Sequence, residues 1–241
     1  MLCNLDIHEL AALAAQHLQA THFFRTRYCL TSSQLPVLAN ALGHPIRVPH
    51  RGQDEAYRDQ VTHLGLGDDP ITGKGLLPFH TDGDRGEYKT RYLILYCLEA
   101  SEDKQGGETL IASTKNISGI LPTDIYQILT RRDATTRFRL DAENHFKSLT
   151  YRVYEPESAS LMAYFPYPMG ETPHWDTIFE GLSVSTSRDA LICVEAAVTK
   201  RSFYAHHWRK HDLLIIDNEK SIHARQPLTR GFRHIIRVIC R

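Results

Sequence analysis

Leu77-Pro78-Phe79-His80-Thr81-Asp82-Gly83, read together with Ser221-Ile222-His223-Ala224-Arg225 near the C-terminus, is the stretch on which the reading of this chain turns. A His and an Asp two residues apart point the same way on a β-strand, because side chains alternate faces with a period of two. One more histidine beside them completes a three-ligand cap on a metal ion. Two neutral imidazoles and one carboxylate on one face of an octahedron suit Fe(II), with the opposite face open to a bidentate ligand and O2. His80, Asp82 and His223 are therefore the candidate metal ligands and the candidate catalytic centre. The motif alone is common: the chain has 14 histidines, and a second His-x-Asp stands at His174-Trp175-Asp176.

The surrounding pattern chooses between the two copies. Strand signals come quickly after Gly75: Leu76–Phe79, the apolar run Arg91–Leu98, Glu108–Ala112 after the Gly106-Gly107 turn, Thr135–Leu140, Leu149–Glu155, Leu161–Phe165, Phe203–Trp208, Asp212–Asp217 and Arg233–Val238. Close spacing with turns between predicts a barrel or sandwich. A metal site at one end of such a barrel needs several strands between its first two ligands and its last. Asp82 satisfies this and Asp176 does not, so His174 and Asp176 are expected as a loop pair near the mouth. Helices are predicted after Asp6, after Ser32-Ser33 up to Gly43, from Pro122 to Leu129, and from Ser187 and Asp189 through Val198. Residues His44–Gly75 read as loops over a mouth, and Asn218 and His223 as delivered to a turn after Asp217.

Composition sets bounds. With 241 residues, 42% of them hydrophobic and 23% charged, the chain suits one globular domain with a sizeable core. The expected organisation is a single domain over residues 1–241, with helices and mouth loops in 1–74 and the barrel with helical insertions in 75–241. A formal net charge of zero gives no electrostatic case for a nucleic acid or an anionic membrane as partner. The cysteines are five, scattered and mostly within apolar runs, which fits reduced thiols. No basic segment and apolar core of a signal peptide follows Met1, and no run of about 18 apolar residues is present, so the expected location is cytoplasmic. Nothing in the pattern speaks to oligomeric state.

Arginine presents a planar fork that matches a carboxylate bidentately. Arg233, on the strand after the distal histidine, suits the far carboxylate of a 2-oxo acid whose keto-acid end reaches the metal, and Thr109 suits a hydroxyl donor to the same group. Arg230, beside Gly231, reads instead as a solvated turn charge.

The ordered set His80-Thr81-Asp82, Gly106-Gly107-Glu108-Thr109, Asp212–Asn218, His223-Ala224-Arg225 and Arg233-His234-Ile235-Ile236-Arg237 resembles the taurine dioxygenase and clavaminate synthase-like group of Fe(II)/2-oxoglutarate oxygenases. The likeness runs from about residue 75 to the end. It implies a mainly β fold with flanking helices, a double-stranded β-helix (jelly-roll, cupin-like) barrel. It also implies iron at His80, Asp82 and His223, 2-oxoglutarate at Thr109 and Arg233, and O2 as co-substrate, with release of succinate and CO2. Arg237 is placed by the resemblance against an acidic group of the substrate or beside the cofactor. Related halogenases lack the acid at the position of Asp82, so hydroxylation or another oxidation is expected ahead of halogenation. The expected substrate is a small polar metabolite, a free amino acid or amino-acid derivative, with the Gly83–Tyr88 and Tyr164–Pro168 stretches as candidate pocket walls. A zinc-dependent hydrolase and a non-catalytic metal-binding barrel are the alternatives.

Overall fold

The structure is a computed structural model that describes residues 5–31, 33–46, 62–65, 72–82, 90–115, 117–139, 146–158, 160–166 and 175–241. Two antiparallel sheets form its centre. The larger has the order β1 (Phe23–Arg27), β13 (Asp212–Asp217), β4 (Tyr92–Ala100), β16 (Arg233–Cys240), β2 (Thr62–Leu64). The smaller has the order β12 (Ser202–His206), β6 (Thr109–Ser113), β14 (Ser221–Arg225), β3 (Leu77–His80). A three-stranded sheet, β11 (Trp175–Phe179), β7 (Asp133–Arg139) and β8 (Phe146–Arg152), stands apart from both. Two short ladders complete the set, β9 (Tyr154–Glu155) with β10 (Ser160–Leu161) and β5 (Gln105–Gly106) with β15 (Leu228–Arg230). This is the expected jelly-roll, built as two facing sheets that backbone hydrogen bonds do not close into a barrel among the described residues.

Alternation sorts the side chains into layers. Leu93, Leu95, Leu214, Ile216, Ile235 and Ile239 of the larger sheet meet Ile111 of the smaller one and Trp208 between the sheets. The other face of the larger sheet, including Ile94, Tyr96, Leu213, Ile215, Ile236 and Val238, is covered by α1 (Ile7–Thr21) and α2 (Gln34–Leu42) through Leu10, Leu18, Leu35 and Leu38. The outer face of the smaller sheet presents Phe79, Ala112, Ile222 and Ala224 to α4 (Val184–Lys200), to Leu129 of α3 (Thr123–Arg131) and to the three-stranded sheet. Strands β4 and β13 are therefore buried on both faces, which is why they read as continuous apolar runs rather than alternating ones.

The helix signals hold with one shift. Asp6 caps α1 by accepting from the backbone N–H groups of His8 and Glu9, and the Glu9 carboxylate in turn accepts from Asp6 N. Helix α4 starts at Val184, earlier than Ser187, because Ser183 is extended and its Oγ accepts from Thr186 N. Ser187 lies within α4, where its Oγ accepts from Phe179 N and ties the helix to β11.

Several strand expectations are corrected. His223 is not in a turn: it lies mid-strand in β14, which pairs with β3 on one side and β6 on the other. Ser221-Ile222-His223-Ala224-Arg225 is too mixed to announce a strand, and only its two partners make it one. The stretch read as loops contributes an edge strand, β2, on β16. Leu149–Glu155 divides into β8 and β9. Of Leu161–Phe165 only the start is a strand, followed by an isolated bridge between Tyr164 and His80. Asp176 sits exposed on β11 opposite Arg137, not in a loop, and His174 lies outside the described residues. No helix among the described residues is long and apolar enough to cross a membrane.

Cys29, Cys97, Cys193 and Cys240 are free thiols, and burial pushes Cys97 and Cys240 up to about 12, so both stay protonated. Burial acts likewise on Glu195 of α4, whose carboxyl is pushed up to about 7 from the ordinary 4.5. It faces a cleft walled by Leu77, Phe79, Leu110 and Ile192. Between those two values the folded chain keeps a proton that the unfolded chain has lost, so this group lowers stability as pH rises through the window. Glu195→Gln is expected to flatten that part of the profile, measured as Tm of both proteins from about pH 4.5 to about 7.5; parallel profiles would contradict it.

Candidate metal and cofactor site

The site is built on a backbone register. In the antiparallel pairing of β3 and β14, His80 stands directly opposite His223, and the two rings lie 4.3 Å apart. Asp82 follows two residues after His80, beyond the end of β3, and its carboxylate closes the group: Oδ1 is 3.8 Å from His80 Nε2 and Oδ2 is 3.8 Å from His223 Nε2. The three candidate ligand atoms all fall within 4.8 Å of one another. Asp176 has no part in this cluster.

Asp82 is held where no strand holds it. Asn218 clamps its backbone: Asn218 Oδ1 accepts from Asp82 N at 2.9 Å, and Nδ2 donates to Asp82 O at 2.9 Å and to Thr90 O at 3.0 Å. Asn218 is 4% exposed, so these bonds are made in a dry setting. On the side-chain end, Arg237 Nη1 donates to Asp82 Oδ1 at 3.2 Å. Arg237 therefore reaches the site, as expected, but its partner in the structure is the candidate ligand carboxylate.

Electrostatics leaves the group ready for a cation. His223 is held down to about 3, chiefly by burial and then by its neighbour His80, with Asp82 opposing and Arg237 assisting. His80 is lowered by burial as well, against the pull of Asp82. Burial favours the protonated form of Asp82, yet Arg237, His223 and His80 together outweigh it and bring its pKa to about 2. Near neutral pH the cluster is thus two neutral imidazoles and one carboxylate. His80 Nδ1 lies 2.8 Å from Pro78 O, which places the ring proton there and leaves the Nε2 lone pair facing Asp82. This donor set fits Fe(II).

A second group of residues lies in the same cavity, which His80, Asp82 and His223 share with Thr109, Arg225, Arg233 and Arg237. Arg233 and Arg237 face the same way because both occupy odd positions of β16, with Ile235 and Ile239. Arg233 is only 2% exposed; its Nη1 donates to Gly107 O, and its Nε is buried without a partner. Burial, and the charge of Arg225, lower its pKa to about 10, so it remains a cation at neutral pH. The Gly106-Gly107 turn exists to let this happen. Both residues have φ near +76°, and a Cβ on Gly106 would stand 2.1 Å from Pro227 O, while one on Gly107 would meet Leu228 Cδ1 at 3.0 Å and Arg233 Nε at 3.3 Å. Trp208 Nε1 donates to Thr109 Oγ1 at 3.0 Å, leaving the Thr109 hydroxyl proton available to an acceptor in the cavity. A buried guanidinium, an orphaned N–H and a free hydroxyl proton form a carboxylate site that fits one end of 2-oxoglutarate.

The remaining expectations fall as follows. Arg230 pairs with Asp103 at 3.2 Å on the exposed β15 end, a surface charge as read. Tyr164 and Phe165 are buried core residues, Tyr164 packing edge-on to Trp175 and Phe138. Tyr167, Pro168 and the Gly83–Tyr88 loop lie outside the described residues. Nothing in the sequence marks Trp208 or the clamp made by Asn218 as part of the site. Asn218 stood in a quoted motif, but its partners, Asp82 and Thr90, are far from it in sequence.

Comparison with known proteins gives the family. The chain is 26% identical over 175 residues, 68% of its length, to 3-((Z)-2-isocyanoethenyl)-1H-indole synthase of Fischerella ambigua, and 25% identical over 181 residues to tyrosine isonitrile desaturase of Pseudomonas aeruginosa. These matches span 63% and 61% of the two relatives, a little under two thirds of their length. Among solved structures, the PvcB protein of Pseudomonas aeruginosa has the same fold, with a TM-score of 0.71 at 21% identity over 98% of this chain and 82% of that one. The family model for the taurine catabolism dioxygenases matches residues 3–239, and the chain belongs to that TauD, TfdA family of iron- and 2-oxoglutarate-dependent oxygenases.

Proposed function

We propose that this protein is an oxygenase that oxidises a small amino-acid-derived molecule, with iron held by His80, Asp82 and His223 and the distal carboxylate of 2-oxoglutarate held by Arg233 and Thr109. The observation that carries this reading is Arg233, a buried cation in no ion pair among the described residues and with Nε unpartnered in the same cavity as the His-Asp-His cluster. A buried charge without a counterion is costly, and an anionic ligand relieves that cost. A zinc hydrolase or a non-catalytic barrel has no use for such a residue.

When bound, the iron and 2-oxoglutarate supply oxygen activation, with decarboxylation to succinate driving removal of hydrogen from the substrate. The chain's own residues supply position and dryness. Asn218 fixes the backbone of Asp82. Arg237 holds Asp82 Oδ1, on the side of His80, and Oδ2 faces His223. Arg233 and Thr109 orient the co-substrate from the far end, and Leu64, Leu77, Leu93, Leu95 and Ile235 line the cavity with apolar surface that excludes water.

For the reaction itself a second reading has specific support. Two of the relatives carry names from isonitrile chemistry, one of them a tyrosine isonitrile desaturase. We infer from these that desaturation of an aromatic amino-acid isonitrile stands ahead of hydroxylation of a free amino acid. Both begin with hydrogen removal from the same kind of carbon, and they differ in whether oxygen is then added.

Three experiments test these readings. Anaerobic addition of Fe(II) and 2-oxoglutarate should give the weak visible band of the chelate. Arg233→Lys should weaken 2-oxoglutarate binding about 10- to 100-fold through loss of the Nε donor and the fork, and His223→Ala should abolish the band; a wild-type protein that binds metal without the band would remove the reading. Asn218→Ala should reduce iron affinity about 10- to 100-fold and cost about 1–3 kcal/mol of stability, measured by metal titration and denaturant unfolding. Mass spectrometry after aerobic incubation with tyrosine isonitrile and, separately, free tyrosine should find a product short of two hydrogens from the isonitrile; a hydroxylated product from the free amino acid would favour the other reading.

A further inference from the structure

Helix α4 lies over the outer face of the smaller sheet without closing on it everywhere. The strands that carry His80, Thr109 and His223 turn Phe79, Leu110 and Ala224 to that outer face, and with Leu77 these floor a cleft of about 350 Å³. One wall is a stripe of α4, made by Arg188, Ile192, Glu195 and Thr199, whose three- and four-residue spacing puts them on one side of the helix. The neighbouring stripe, Leu191, Val194 and Val198, is the one packed into the core. Ile192, 47% exposed, extends the apolar surface to the rim. The volume falls in the range of about 300–1,000 Å³ that small-molecule sites occupy.

Glu195 is the member of this wall that packing does not explain. Its carboxyl is half-buried, and among the described residues it has no hydrogen-bond or ion-pair partner. Burial is the whole cause of its raised pKa, and no neighbouring charge contributes. Arg188, the other charged side chain on the wall, stands two helical turns earlier, about 10 Å along the axis, and does not act on it. An acid that gives up water on folding and gains no partner is a cost to the fold. A cation in the cleft offsets that cost, and apolar floor beside the acid asks for an apolar body attached to the cation.

We propose that this cleft is a second binding site, for a small primary amine with a compact apolar body. The ammonium group pairs with the Glu195 carboxylate, and the apolar body lies on Phe79, Leu110 and Ile192. The cleft is on the opposite face of the smaller sheet from the His-Asp-His cluster, with Leu77 and Ala224 bordering both cavities. The site does not depend on the oxygenase reading, since none of the candidate iron or 2-oxoglutarate residues lines it.

The test is calorimetric titration and amide-resonance mapping of the protein loaded anaerobically with Fe(II) and 2-oxoglutarate, at about pH 8, where Glu195 is a carboxylate. Phenethylammonium is the probe; 2-phenylethanol and phenylacetate carry the same ring with a neutral and an anionic head. Phenethylammonium should bind with a Kd on the order of 0.1–1 mM, as suits a ligand of its size, and move the amide resonances of α4 around Ile192 and Glu195. Glu195→Gln, which keeps the shape of the side chain, should weaken binding about 10-fold or more. The two control probes should bind no better to the wild type than phenethylammonium does to that variant. Equal affinity for the three probes, unchanged affinity in Glu195→Gln, or resonance changes confined to β16 overturns the site. So does the absence of binding at about 10 mM amine, ten times the weakest Kd expected. A concentration-dependent dimer of the amine-free protein that Ile192→Asp dissociates overturns it in favour of a second copy as the occupant. If iron and 2-oxoglutarate fail to bind, the oxygenase reading falls and the same titration of the protein alone decides this one, because the resonance changes locate the amine.

Discussion

The antiparallel pairing of β3 with β14 is the constraint on which the rest depends. It places His80 opposite His223 at the distance of a cross-strand pair, so both imidazoles reach one point without any loop having to be ordered for it. A slip of one residue would turn one ring to the outer face, among Phe79, Ile222 and Ala224. Those apolar neighbours, packed against α4 and the three-stranded sheet, fix the register. The third member of the cluster cannot come from the ladder, and the structure uses a side-chain clamp, Asn218, in place of a strand.

The second organising fact is the burial of charge. The space between the sheets is apolar through most of its length and ends in a cavity that holds Asp82, Arg225, Arg233 and Arg237. Arg237 is neutralised by Asp82, and Arg233 leans on a backbone carbonyl presented by a turn that only glycine can make. A core filled with well-packed aliphatic residues would be the more stable solution. A fold that keeps a guanidinium there with an unsatisfied N–H has left room for an anion, in the same cavity as the His-Asp-His cluster. Trp208 belongs to both descriptions, packed among the aliphatic residues on one side and bonded to Thr109 on the other.

Much of the fold and most of the site could be read from the chain. β4 and β13 are long apolar runs because both faces are covered, and the capping box at Asp6 and Glu9 marks the start of α1 by local chemistry alone. What the chain did not reveal has a common character. β14 has no strand signature, β2 lies in a stretch rich in loop residues, and the ion pair of Arg237 with Asp82 spans the chain.

The sequence by itself determined the residue types and their order: the His-x-Asp pair, the distal histidine, the double glycine before Thr109 and the two arginines four apart on one face of a strand. These are set by local periodicity and by turn chemistry, which act over a few residues. Only the tertiary structure decided that His223 is a strand residue, that Asn218 holds Asp82, that Arg233 is an unpaired cation and that Trp208 is bonded to Thr109. Each of these is a contact between segments far apart in the chain, fixed by burial and by the need to satisfy polar groups where water is absent, and no pattern within one segment encodes it.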